Sequence, residues 1–226
     1  MTPNLITIDG PSASGKSSVS RELGRRLGWK WVSTGAFYRG LAYVAVQEGI
    51  VLNEVASLVS LSQADSVWWI RMDSDRTRVF WRGSDVTDPA MSEDNGSRAS
   101  VVSRIPEVRA ALLGSQRRCA DGVPGLVAEG RDCGTVVFPQ ALLKIYLTAS
   151  QEERAARRAR EQGLNLEKTQ SQQEERDFQD SSRRTAPLQI PPQARIVDSN
   201  GMSLEQVIDQ VHMWAEEALA RGIKSL

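Results

Sequence analysis

The residues with the clearest chemical purpose are Gly10-Pro11-Ser12-Ala13-Ser14-Gly15-Lys16-Ser17, which fit G-x-x-x-x-G-K-[ST]. Glycines let the backbone curl, so that successive N–H groups point inward as a nest for an anion. The apolar "LITI" before the loop reads as a strand. After it, Val19, Leu23 and Leu27 fall at i, i+4 and i+8, one face of a helix that Gly28 would stop. That helix would begin near Lys16 and add its positive end and unbonded N–H groups to the nest. The Lys16 ammonium suits the β- and γ-phosphates of a nucleoside triphosphate, and the Ser17 hydroxyl suits Mg²⁺. Ser18 continues the same wall, so Gly10 to Ser18 form the expected triphosphate site.

Composition narrows what else the chain can be. Its 226 residues suffice for one sizeable core with an insertion or two. Formal net charge is zero, which argues against a nucleic-acid binder. Five of the 28 basic residues are lysines, leaving 23 arginines, whose planar forks suit phosphate and carboxylate. Cys119 and Cys133 show neither a disulfide framework nor metal spacing. The one histidine, His212, lies in a late amphipathic stretch, which removes histidine-based triads and metal sites. No apolar run reaches membrane-spanning length and no signal peptide is evident, so a cytoplasmic protein is expected. The guanine-reading N-K-x-D signature is missing, which disfavours a GTPase.

The elements that must position the loop alternate between strand and helix. "WKWV" reads as a second strand. "STGAFYRGLAYVAVQEG" reads as a helix opened by hydroxyl caps, and Asn53 as the cap of a short helix through Leu61. From Ser66, "SVWWIRM", "RTRVFW" and "SDVT" are β-like pieces divided by turn signals, an insertion outside the main rhythm. Pro106 opens a helix to about Ala120, and "GLVAEGRD" and "LLKIYLTA" read as buried parallel strands. Capping boxes are expected at Ser150 to Glu153, Ser171 to Glu174 and Ser203 to Gln206, with a polar, mobile stretch over 163–187 and a last strand in "ARIVDS". The sum is an α/β sheet carrying a β-rich insertion and a lid.

Seven stretches, "IDGPSASGKSS", "STGAFYRGLA", "FWRGSDVTD", "IPEVRAALLGSQRR", "EGRDCGTVVFP", "KIYLTASQEERAARR" and "RRTAPL", follow one another across nearly the whole chain. Together they resemble the bacterial-type cytidylate kinases, members of the nucleoside monophosphate kinase group. The resemblance implies a P-loop kinase with a five-stranded parallel sheet flanked by helices, a CMP-binding insertion over 62–100 and a mobile lid over 156–187. It implies transfer of the γ-phosphoryl group of ATP to CMP or dCMP with Mg²⁺, in pyrimidine nucleotide metabolism, by a monomer without nucleic-acid or membrane partners.

The same resemblance assigns residues. Lys16, Arg131 and Arg157 are the expected catalytic cations, Arg157 being the first choice among Arg154, Arg157 and Arg158 for donor phosphate. Arg131, Arg39 and Arg176 match contacts to the CMP phosphate, with Thr34 beside them. Ser100, Arg109 and Asp132 match the base readers, and Asp180 and Arg183 the sugar contacts. A carboxylate accepts from the exocyclic amine of cytosine, whereas uracil offers it another acceptor, at a cost of about 1–3 kcal/mol. Departures are Glu129 where Asp is usual, acting on Mg²⁺ through water, and Ser33 for Asp. Phe178, Gln179 and Ser181 also stand at often-charged lid positions, and the connection "TDPAMSEDNGSRAS" differs from the usual one. The competing readings are a kinase for another small acceptor, UMP or shikimate, and a regulator that holds ATP without transferring phosphate.

Overall fold

The computed structural model describes residues 3–162, 166–183 and 185–223, without the side chains of 161, 162, 166–169, 172, 175, 176, 222 and 223. Strands β1 (Asn4–Asp9), β2 (Lys30–Ser33), β6 (Gly125–Gly130), β7 (Leu143–Thr148) and β8 (Arg195–Asp198) form one parallel sheet in the order β2-β6-β1-β7-β8. β1 and β6, flanked by partners on both edges, are buried almost throughout. That is why "LITI" and "LVA" read as continuous apolar runs.

Successive side chains of β1 point to opposite faces. Ile6 and Ile8 pack with Val19 and Leu23 of helix α1 (Lys16–Leu27) and with Val207, Ile208 and Val211 of the C-terminal helix α9 (Leu204–Ile223). Leu5 belongs to the other core, with Phe37 and Leu41 of α2 (Gly35–Gln47) and Leu112 of α6 (Pro106–Arg118). Both cores end where β1 and β6 reach their carboxyl ends, where open parallel sheets bind ligands.

Between α2 and α6 lie α3 (Val55–Ser62), an antiparallel sheet of β3 (Trp68–Met72), β4 (Thr77–Trp81) and β5 (Ser84–Asp85), and helices α4 (Thr87–Met91) and α5 (Glu93–Val102). The β-like pieces are thus a separate sheet, but the second half of 62–100 is helical. Ser92 Oγ accepts from the Asn95 amide at 3.3 Å and starts α5.

Two expected caps are different in the structure. The residue before α3 is Glu54, not Asn53, and no side chain caps it. Thr34 precedes α2, but its hydroxyl donates to the Glu129 carbonyl at 3.0 Å instead of capping. The box at Ser203 forms, with Ser203 and Gln206 bonding reciprocally at 2.8 and 3.2 Å, but at Ser150 only half does: the Glu153 amide donates to Ser150 Oγ at 3.3 Å, while the Ser150 amide donates to Asn200 Oδ1 at 2.8 Å. The box at Ser171 starts nothing, because α8 (Leu166–Ser181) runs through it after α7 (Gln151–Gln162). The stretch expected to be polar and mobile is largely this helix.

Candidate active site

The first turn after β1 is built by backbone geometry. Gly10 (φ +154°) and Gly15 (φ +91°) take conformations side chains rarely adopt, and a Cβ on Gly10 would lie 2.0 Å from the Leu147 carbonyl oxygen. Ala13 is also left-handed, at φ 56°. Lys16, the first residue of α1, is folded back so that Nζ donates to the Pro11 carbonyl at 2.6 Å and to Ser14 Oγ at 3.4 Å. Burial and then the Arg131 charge push its pKa down to about 7. Lys16 is only 5% exposed, although Ser17 beside it is open to solvent. Ser17 Oγ donates to Glu129 Oε1 at 2.9 Å.

Register supplies the opposite wall. β1 pairs with β6 so that Asp9 faces Gly130, and β2 pairs so that Ser33 faces Glu129. Arg131, one residue beyond β6, donates from NH1 to the Gly10 carbonyl at 3.1 Å and from Nε to Asp180 at 2.6 Å. Asp132 pairs with Arg109, whose other NH donates to the Ser103 carbonyl at 3.1 Å and whose guanidinium lies 5.2 Å from the Tyr38 ring centroid. Asp180 also pairs with Arg183. Burial pushes the Asp180 carboxyl up, yet Arg131 and Arg183 outweigh this and hold it below its usual value.

One cleft of about 360 Å³ gathers Lys16 and Ser17 with Thr34, Arg39, Ser100, Arg109, Glu129, Arg131, Asp132, Asp180 and Arg183. Arg39 NH1 donates to the Met91 and Ser92 carbonyls at 2.9 Å each, and Ser100 Oγ to the Gly96 carbonyl at 3.1 Å. Arg183 Nε is buried with no hydrogen-bond partner, a donor available to a ligand. Asp180 and Arg183, expected at the sugar, are enclosed here, with Asp180 only 6% exposed. The Arg176 side chain lies outside the described residues.

Arg157 is placed apart from this cleft. It donates to Ser199 Oγ and O at 3.0 and 2.9 Å and lines a second cavity of about 420 Å³ with Ser14, Gly15 and Ser18. The loop is instead touched by Arg154, on the Ser12 carbonyl at 3.1 Å, and Arg158, on Ser12 Oγ at 3.2 Å. Two acids that the sequence reading passed over hold them: Asp177 pairs with Arg154 at 2.5 Å, and Glu93 pairs with Arg158. Asp177 also accepts from the Ser12 amide at 3.2 Å, so a carboxylate sits on one of the loop's N–H groups. Its signal was the spacing of Asp177 and Asp180, i and i+3 on one helix, legible only once α8 is known. Phe178 is 72% exposed and Ser181 Oγ bonds back to the Asp177 carbonyl at 2.8 Å, so neither adds charge to the cleft.

A lysine-bearing anion loop facing a guanidinium across one cleft defines a P-loop phosphotransferase. The family model "Cytidylate kinase" matches residues 6–217. A cytidylate kinase of Bdellovibrio bacteriovorus is 60% identical over 207 residues, covering 92% of this chain and 95% of the relative. One from Photobacterium profundum is 42% identical over 220 residues, covering 95% and 96%. A gluconokinase from Sinorhizobium meliloti shares the fold, with a TM-score of 0.51 at 15% identity over 100% of this chain and 99% of that one. The chain belongs to the cytidylate kinase family.

Proposed function

We propose that this protein transfers the γ-phosphoryl group of ATP to CMP or dCMP, giving ADP and CDP or dCDP. The observation that carries the reading is the bond from Arg131 to the Gly10 carbonyl, which fixes an acceptor-side cation against the triphosphate loop. Phosphoryl transfer needs little covalent help from the protein, only in-line placement and neutralised charge.

In this reading Gly10 to Ser18 hold the ATP phosphates and Lys16 donates to the migrating phosphoryl oxygens. Arg131 and Arg39 hold the CMP phosphate, with Thr34 at the same wall and Arg176 assigned there by resemblance alone. Binding then exchanges partners. The CMP phosphate takes Arg131 from Asp180, and Asp180 turns to a sugar hydroxyl beside Arg183. Asp132 accepts from the cytosine amine while Arg109 and Ser100 donate to its ring acceptors. The second cavity suits the donor nucleoside, which places Arg157 at its wall and gives Arg154 and Arg158 the contact with the loop.

Ser17 and Glu129 fit Mg²⁺, since two hard oxygens 2.9 Å apart stand at the loop's exit. The ion would neutralise charge between the β- and γ-phosphates. Residues 62–100 serve as the CMP-binding insertion, contributing Ser100 and the carbonyls that hold Arg39. Residues 156–187 serve as the lid, whose Asp180 lines the cleft and whose Asp177 reaches the loop at the Ser12 amide. The family resemblance supports reading the protein as a monomer and as cytoplasmic. Among the described residues no helix is long and apolar enough to cross a membrane.

Initial rates of ADP release with CMP, dCMP, UMP, AMP and shikimate test the proposal. CMP and dCMP should lead, with UMP at least about tenfold lower in kcat/KM. Equal rates with UMP would remove the base-reading roles, and no acceptor-dependent release would favour the regulator.

A further inference from the structure

Asp9 is the last residue of β1, fully buried, and has no part in the chemistry above. Its two carboxylate oxygens are both engaged: Oδ1 accepts from the Cys133 amide and Oδ2 from the Gly134 amide, each at 2.7 Å. Those amides open a π-helical turn, Cys133–Val137, immediately after Arg131 and Asp132. No side chain within the turn caps it. The cap is therefore supplied across the sheet by a residue more than a hundred positions earlier in the chain.

The contact is close enough to dictate its partner. A Cβ on Gly134 would lie 2.8 Å from Thr7 Oγ1, 3.0 Å from Pro191 Cγ and 3.1 Å from Asp9 Oδ2, so only glycine brings its amide onto the carboxylate without a shift. Asp9 is followed at once by Gly10, whose carbonyl accepts from Arg131. The end of β1 and the residue after it thus grip the acceptor segment twice in succession, once on each side of Asp132.

We propose that Asp9 is a positioning residue that sets the placement of Arg131 and Asp132 relative to the triphosphate loop. A bidentate carboxylate is charge-assisted at both bonds, so it fixes the orientation of the turn as well as its distance. The strand that launches the donor loop then also fixes the acceptor site, and the two phosphates meet at a spacing held by one rigid element. Burial pushes the Asp9 carboxyl up to about 6 while the Gly134 and Cys133 amides pull it down, and the charges of Asp132 and Lys16 act on it from the two sites it joins. The inference rests on the proposed roles of Arg131 and Asp132.

The test is steady-state kinetics of Asp9→Asn and Gly134→Ala against the unaltered protein, with ATP affinity measured separately by titration calorimetry. Asn keeps the volume but turns an NH₂ toward one of the two amides, and Ala at 134 disturbs the same contact from the other side. In both variants KM for CMP should rise about tenfold and the CMP-to-UMP ratio of kcat/KM should fall several-fold, with ATP affinity within about twofold. Neither ratio depends on the fraction of molecules that fold, so a merely structural role would not move them. Should Asp9→Asn fail to fold, Gly134→Ala decides alone. Unchanged KM for CMP and unchanged base preference would overturn the proposal, as would an equal loss of ATP affinity. If the unaltered protein does not prefer CMP, the base-reading roles fail, and the KM for CMP against ATP affinity still judges Asp9.

Discussion

Arginine–aspartate pairs occur in two regions of this molecule and do opposite work. On the antiparallel sheet, Arg78 reaches Asp73, Asp75 and Asp85 at 2.6, 2.9 and 3.1 Å, and Arg71 reaches Asp73 at 2.9 Å. Those partners are solvent-accessible, with Asp75 57% exposed, so water can replace any of them and each pair stabilises little. In the cleft, Arg109–Asp132 and Arg183–Asp180 are all below 10% exposure. Removing one partner there strands a buried charge, a costly change unless something of the right charge takes its place. In the proposed reading the CMP phosphate is such a replacement, whereas the neutral cytosine amine only adds a hydrogen bond to Asp132 beside Arg109. The difference is one of burial, and burial turns the same residue types from surface decoration into a site that waits for substrate.

The comparison breaks most visibly at the cleft. Lys16→Met keeps the apolar stem and removes the buried ammonium; kcat should fall about a thousandfold while the melting temperature stays within a few degrees. Retained turnover would remove Lys16 from the chemistry. Arg131→Ala should raise KM for CMP and cost about a hundredfold in kcat/KM, more than Arg131→Lys, because the two-sided grip on Gly10 and the phosphate needs a fork. Equal losses in the two variants would show that charge alone matters there. Asp132→Asn should shift selectivity toward UMP by about tenfold, measured as the ratio of kcat/KM values, with smaller loss on dCMP than on CMP ruling out a pure base role.

The smallest effect belongs to the antiparallel sheet. Asp85 accepts from the Thr87 hydroxyl and amide and from Arg78, which hold its pKa down at about 2. A carboxyl depressed by folding contributes stability above its ordinary value of 3.8 and loses it as pH falls through about 2. Asp85→Asn should therefore lower the melting temperature by only about 2 °C at pH 7, with the gap closing between those two values and turnover unchanged. A larger fall in melting temperature would mean that the pair is not a weak surface one, and loss of CMP use would mean that the small sheet is part of the site.

What could be read from the chain follows from range. The loop was legible because glycines, Lys16 and Ser17 act within one turn, and the parallel strands because two-sided burial leaves continuous apolar runs. Helix α8 was not, since "LEKTQSQQEERDFQDS" has no apolar period and its Ser171–Glu174 pair imitates a start signal. Gln173 is buried against α7, donating to the Arg154 carbonyl at 3.3 Å, and Asp180 in the cleft, packing that no local pattern announces. Arg154, Arg157 and Arg158 stand together in the sequence as donor-side candidates, but at 3.6 residues per turn positions 157 and 158 diverge by about 100°, and they face Ser199 and Ser12 respectively. Asp9 was invisible for a different reason. Its partners are amides brought beside it by the pairing of β1 with β6, a register that only the folded sheet supplies.

The central claim is that one cleft carries a phosphoryl group from the loop to a nucleotide held by Arg131. Incubating the protein with γ-labelled ATP, Mg²⁺ and CMP, and separating the products, tests it directly. The account predicts label in the β-phosphate of CDP, one equivalent for each ADP formed, and little label in inorganic phosphate. Label released as inorganic phosphate at a rate indifferent to CMP would contradict it.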